Sequence, residues 1–174
     1  MERSTILLHG VFPPIPTPFD AQGDIAYEAL CQNIEHWNRY DMAGYVVLGS
    51  NGEGVYLTDE EKARVWEVAR DAIPAEKLLV AGTGCESTRH TQALSSRAAD
   101  AGADAVLVLT PHYDGGQMTS DALMHHFEAV ADRAPTPVVL YNMPRFSHVD
   151  MDAATVARLA QHPNVIGIKD SGGN

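Results

Sequence analysis

Five apolar stretches rich in β-branched residues recur along this chain: GYVVLGS (44–50), KLLVAGT (77–83), ADAVLVLT (103–110), PVVLYN (137–142) and NVIGIKD (164–170). None shows the alternation of a strand with one wet face. Each is apolar nearly throughout, which is the pattern of a parallel sheet covered on both sides. Parallel neighbours cannot be joined by a tight turn, so every step needs a long crossover. The stretches follow one another at about 30 residues, the size of a βαβ unit. An earlier segment, GVFPPIPTPF (10–19), is read as a first strand interrupted by prolines at an edge or rim, which makes about six in all.

Helical patterns fill the gaps. Leu30, Cys31, Ile34 and Trp37 share one face of the first. Thr58-Asp59-Glu60-Glu61 opens the second as a capping box, in which Thr58 and Glu61 satisfy each other's backbone donors. Val65, Trp66, Ala69, Ala72 and Ile73 then form its buried stripe, and Pro74 ends it. Leu94, Ala98 and Ala101 mark the third, and Leu123, Met124, Phe127, Val130 and Ala131 the fourth. Ala153, Val156, Ala157 and Ala160 mark the fifth, closed by Pro163. Strict alternation of strand and helix means an α/β fold with right-handed crossovers, either an open doubly wound sheet or a (β/α)8 barrel. The segments GSNGEG, GTGCES, TPHYDGG, YNMP and KDSGG all follow strands, so they gather at the carboxyl rim, where both architectures keep their sites.

Composition narrows the partners. Acidic residues outnumber basic ones 23 to 12, with no Lys/Arg cluster, which speaks against nucleic acid and anionic membranes. No apolar run approaches the roughly 20 residues of a membrane helix, and the opening MERSTILLHG carries no visible secretory leader. Cys31 and Cys85 are too few and too scattered for a disulfide framework or a zinc site. A reducing, cytoplasmic compartment fits, and a length of 174 residues suits one compact domain over 1–174.

Lys169 ends the most hydrophobic of the strands. Alternation sends Val165, Gly167 and Lys169 to one side and Ile166, Ile168 and Asp170 to the other. Facing a dry interior, the lysine would lose its proton readily and become a nucleophile toward ketones, forming a Schiff base. Snorkelling to solvent or pairing with Asp170 is the plainer alternative. GSNGEG (49–54) can turn backbone N–H groups toward an anion, although its glycine order is not the dinucleotide fingerprint. Gly82-Thr83-Gly84 is a weaker case of the same kind, and a structural turn accounts for either. Tyr141 is at a strand tip, as a packing residue or as a proton relay beside the lysine. His125 and His126 are consecutive on a helix and point apart, a poor metal pair. No other pair of the eight histidines has ligand spacing, so a zinc-dependent mechanism has no support in the sequence.

IPTPFD, GSNGEG, LTPHYDGG, VVLYNMP and IGIKDSGG, in this order and at these spacings, resemble the pyruvate-dependent class I aldolases and lyases typified by dihydrodipicolinate synthase and N-acetylneuraminate lyase. The resemblance runs the full length of the chain. GSNGE, GTGCEST, MTSDALMHHF and QHPNVIGIKDSGG are most similar to the 4-hydroxy-2-oxoglutarate aldolases of that family. The fold it implies is a (β/α)8 barrel, incomplete here, with the last two strands and the C-terminal helices missing. The roles it implies are Lys169 as the Schiff-base lysine and Tyr141 as the proton relay. Ser50 and Asn51 would hold the carboxylate of a pyruvate unit, and Ser171 would touch the far end of a longer substrate. Tyr113 matches a tyrosine lent across a dimer interface, which implies a homo-oligomer, dimer or tetramer. The substrate would be a small 2-keto acid, and no metal or organic cofactor is needed because the imine itself is the electron sink.

Two departures stand out. Dihydrodipicolinate synthases carry an arginine that grips a second carboxylate where this chain has Phe146, which weakens the synthase reading. A barrel of this type runs to about 250 residues, so the chain is expected to be a fragment. The contrasting expectation is an inactive half-barrel that needs a complementary chain.

Overall fold

The computed structural model describes residues 6–173. Its elements in chain order are α1 (Tyr27–Trp37), β1 (Gly44–Val47), α2 (Asp59–Ala72), β2 (Leu78–Gly82), α3 (Thr88–Asp100), β3 (Ala105–Leu109), α4 (Ser120–Arg133), β4 (Val138–Asn142), α5 (Pro144–Ser147), α6 (Ala153–Leu159) and β5 (Val165–Asp170). Alternation of strand and helix is thus as expected. The chain divides into two compact units, one of His9–Gly82 with Arg97–Ala105, the other of 6–8, Thr83–Ser96 and 106–173. Residues 1–5, where the reading of a missing leader begins, lie outside the described residues. No described helix is long and apolar enough to cross a membrane.

In the first unit β1 and β2 pair in parallel, with Tyr45 opposite Leu79 and Val46 opposite Val80. All four residues of β1 are buried, as a strand covered on both faces requires. The proline-rich segment before α1 forms no strand. It contributes an isolated parallel bridge, Pro14 to Val46, carried by Ile15 N–H to Val46 O and Val46 N–H to Pro13 O. Pro13, Pro14, Pro16 and Pro18 have no N–H to continue a ladder, so five strands form among the described residues instead of six.

Helix α2 starts as its sequence dictates. Thr58 Oγ1 accepts from Glu61 N–H, and Glu61 Oε2 accepts from Thr58 N–H at 2.7 Å. These bonds to Thr58 hold the Glu61 carboxyl below its ordinary range. Val65, Trp66, Ala69 and Ile73 are buried beneath α1, whose Leu30 and Ile34 meet them, while Cys31 and Trp37 are half-buried.

In the second unit β3, β4 and β5 pair in parallel in that order. Strand β4 is buried throughout and β3 nearly so. Strand β5 is not: its residues are half-buried or exposed, because β4 is its one partner strand among the described residues. Helix α6 departs from expectation for the same reason. Its buried residues are Thr155 and Leu159, which face α4, whereas Ala153, Val156, Ala157 and Ala160 are exposed or half-exposed. Val156 and Ala160 instead line an apolar groove with Leu140, Val165 and Ile168. The small-residue stripe expected to be core is therefore on the open side.

On α4, Leu123, Met124, Phe127, Val130 and Ala131 are buried as the pattern requires, and so is His126. Its Nδ1 meets Thr88 Oγ1 at 3.0 Å, and its ring packs edge-on to Phe127. Burial pushes its pKa down from 6.5 to about 4, against the opposing pull of Glu86. As pH falls below 6.5, the unfolded chain takes up a proton that the folded chain refuses until about pH 4. Stability therefore drops across that window by on the order of 3 kcal/mol from this residue. His126→Asn keeps a partner for Thr88 without titrating, so denaturant midpoints at pH 7 and pH 4.5 should differ less in that variant than in the parent.

Candidate active site

The site is built where β4 and β5 end. Their register pairs Tyr141 with Lys169 and Asn142 with Asp170. Paired residues in a parallel sheet project to the same face, and successive residues to opposite faces. Tyr141 and Lys169 therefore share one side, and Lys169 Nζ is 4.2 Å from the centroid of the Tyr141 ring. An ammonium over a ring face is attracted by the ring quadrupole, worth about 0.5–1 kcal/mol where water has access. Tyr141 is 3% exposed and Lys169 half-buried. The deep burial expected of Lys169 is not found, since it belongs to the strand with an unpaired edge among the described residues.

One expectation about β5 is corrected. Its register shifts between Val138 and Val139, so Val165 pairs with the first and Gly167 with the second, leaving Ile166 as an extra residue. Val165 thus projects to the face opposite Lys169, and it lines the apolar groove with Leu140 and Ile168.

On the opposite face a polar knot ties the strand ends together. Asn142, 4% exposed, donates from Nδ2 to Asp150 Oδ1 at 2.8 Å and to Asp170 Oδ1 at 3.0 Å. Its Oδ1 accepts from Met151 N–H, and its main-chain oxygen accepts from Ser171 N–H. Asp170 also accepts from Gly172 N–H. That carboxylate is thereby spent on the loop after β5 and not on the neighbouring lysine.

Ser50 and Asn51 lie in the other unit, on the turn after β1. Leu48 turns the chain with a left-handed φ of 58°, a conformation that costs a non-glycine residue about 1–2 kcal/mol. Gly82 at the end of β2 lets the Leu48 carbonyl approach, since a Cβ there would be 2.1 Å from that oxygen. Residues Ser50–Gly52 then form one tight helical turn, locked by Thr17 Oγ1 donating to Gly52 O at 2.6 Å. The prolines that prevent a strand at 10–19 thus hold in place the threonine that anchors this turn. Ser50 is half-buried and Asn51 exposed at its tip.

Tyr113 is 86% exposed in the segment after β3, and Ser171 is half-buried just past β5. Arg145 and Phe146 are on the single turn of α5, Phe146 57% exposed. The second unit thus brings Lys169 and Tyr141 into contact and places Ser171 one step past them.

Comparison with known proteins decides the lineage. Residues 7–174 match the Dihydrodipicolinate synthetase family. The chain belongs to that family. It is 39% identical over 168 residues to a 4-hydroxy-tetrahydrodipicolinate synthase of Acidiphilium cryptum, covering 97% of this chain and 57% of that protein. It is also 39% identical over 173 residues to a probable mitochondrial 4-hydroxy-2-oxoglutarate aldolase of Emericella nidulans, covering 97% of this chain and 56% of the relative. The crystal structure of the dihydrodipicolinate synthase of Acinetobacter baumannii complexed with pyruvate superposes with a TM-score of 0.89 at 34% identity, over 95% of this chain and 56% of that one. The chain thus spans just over half the length of these relatives. Its fold is that of the family, an α/β architecture with the strands and helices of an incomplete (β/α)8 barrel.

Sequence reasoning about the family motifs missed the knot of Asn142, Asp150 and Asp170. The signal was within reach, because Asn142 follows the tyrosine of YNMP as Asp170 follows the lysine of IKDSGG. Strands paired through Tyr141 and Lys169 must also pair the next residues. Asn142→Asp would set a third carboxylate against two others and remove their donor. We expect a loss of about 2–3 kcal/mol at neutral pH. Repulsion would raise the folded-state pKa of the new group, so stability should recover as pH falls through the carboxylate range. Urea unfolding at pH 7 and pH 4.5 reads both effects.

Proposed function

We propose that the whole protein is a Schiff-base aldolase acting beside a pyruvate unit, with 4-hydroxy-2-oxoglutarate as substrate and pyruvate plus glyoxylate as products. The observation that carries this reading is the side-by-side placement of Lys169 and Tyr141, with the amine 4.2 Å from the ring centroid. Lys169 adds to the C2 ketone and, with loss of water, forms a protonated imine. The imine draws the electron pair of the C3–C4 bond toward nitrogen. As that bond breaks, Tyr141 takes the proton of the C4 hydroxyl and the aldehyde departs. The remaining enamine is protonated at carbon, and water releases pyruvate and the free lysine.

Ser50 and Asn51 hold the pyruvate carboxylate in this scheme, and Ser171 meets the distal end of the substrate. Tyr113 completes the proton relay of a second copy, so the working enzyme is a homo-oligomer built on a single catalytic domain. Exposure of its side chain supports that role, since little of the ring is committed to packing within its own chain. Phe146 stands where dihydrodipicolinate synthases carry an arginine, which counts against the synthase, since a phenyl ring cannot do what that arginine does. The synthase remains the second reading, favoured by relatives such as that of Acidiphilium cryptum.

Two experiments on the whole protein test this. Treatment with pyruvate and borohydride should leave a stable adduct on Lys169, absent from Lys169→Arg; an unlabelled Lys169 peptide overturns the aldolase. Tyr141→Phe should still form the adduct while turnover falls about 10²–10⁴-fold. Glyoxylate release from 4-hydroxy-2-oxoglutarate should exceed condensation of pyruvate with aspartate semialdehyde, and the reverse order selects the synthase.

A further inference from the structure

Glu86 is 27 residues from Tyr113 in sequence and belongs to no catalytic role assigned above, yet its carboxylate makes three contacts at one place. Oε2 accepts from His112 N–H and from Tyr113 N–H, both at 2.8 Å, and Oε1 is 3.0 Å from His112 Nδ1. Two consecutive backbone N–H groups converging on one oxygen make a small anion-binding concavity, here filled by the chain's own side chain. Bonds of this charge-assisted kind are stronger and more directional than neutral ones.

The segment that carries Tyr113 is closed on itself downstream, by the single turn Gly115–Gln117, but no side-chain packing holds the tyrosine itself. The phenol is 86% exposed, so packing does not orient the ring. Beyond it come Asp114, Gly115 and Gly116, and a Cβ at Gly116 would meet nothing within 4 Å. The turn closes through Gly115 N–H to His112 O. That bond sets the bend but not the direction in which the turn leaves β3. The carboxylate sets that direction, because it grips the two N–H groups at the base of the turn.

Glu86 is itself held firmly. Gly84 lies so close to the end of β3 that a Cβ would be 2.5 Å from Leu109 N. Thr91 Oγ1 bridges Cys85 N–H and Cys85 O, and Ser87 Oγ accepts from His90 N–H in the first turn of α3. The glutamate is thus mounted between a strand end and a helix start, and through its bonds to His112 and Tyr113 N–H it ties the base of the exposed tip to both.

We propose that Glu86 is a positioning residue for Tyr113, fixing the stem of the turn so that the phenol projects at a constant angle into the site it serves. The inference rests on the relay role proposed for Tyr113. Glu86→Gln keeps an oxygen for both N–H groups and loses the pairing with His112. Glu86→Ala loses all three contacts. Because these bonds are exposed to water, their loss should barely move the melting temperature but should let the tip wander.

The test is steady-state kinetics of the whole protein with borohydride trapping alongside. Glu86→Ala should lower kcat between about 10- and 100-fold, the scale of an ångström-sized misplacement. Pyruvate adduct on Lys169 should stay at the parent level, and Glu86→Gln should restore most of the rate. In a Tyr113→Phe background, Glu86→Ala should change kcat by less than about twofold, since a residue acting through the phenol has nothing left to position. Multiplying effects of the two substitutions, a glutamine variant no better than alanine, or parent-like turnover in Glu86→Ala or Tyr113→Phe would each overturn the inference while the adduct remains. Absence of the adduct from the parent overturns the aldolase reading itself, and the positioning role with it.

Discussion

Parallel hydrogen bonding between β4 and β5 draws Tyr141 and Lys169 abreast on one face and Asn142 and Asp170 abreast on the other. The pleat keeps the two pairs apart. On one side a cation rests against an aromatic ring. On the other an amide shares its two hydrogens between Asp150 and Asp170. The contact to the ring is weak where water reaches it, so it cannot hold the lysine by itself. What holds the strand ends is the ladder together with the buried amide, which would lose several partners at once if the ends separated.

This division of labour keeps Lys169 and Asp170 from pairing. The carboxylate is instead turned to the outer face, where Asn142 Nδ2 and Gly172 N–H engage it. Adjacent residues of opposite charge are thus kept from neutralising one another by the two-residue period of a strand.

Much of the architecture was legible in the chain itself. Continuous apolar runs gave the strands, and the Thr58–Glu61 box gave the start of a helix, because these are consequences of local chemistry. Long-range neighbours were less visible. Ala153, Val156, Ala157 and Ala160 have the spacing of a buried stripe, but burial depends on what packs against them, and Thr155 with Leu159 takes that place. The prolines at 13–18 were rightly read as interruptions, although their effect, isolated bridges at Pro14 and Phe19 in place of a strand, follows only from counting absent donors. Glu86 in GCES looks like any polar loop residue. Its importance lies in two backbone groups that sequence cannot display.

A last consequence follows from Ile166. Had β5 run in even step with β4 from Val138 onward, Ile168 would stand beside the phenol and the lysine would stand beside Asn142, on the wrong face. One residue slipped into the strand, three positions before the lysine, moves it across. The composition of the motif thus matters less than its phase: a deletion at position 166 would leave Tyr141 and Lys169 in the polypeptide and yet turn the amine to the opposite face of the sheet. Searches that score which residues are present while tolerating a gap at this point would accept such a chain, although the contact between the amine and the ring would be gone.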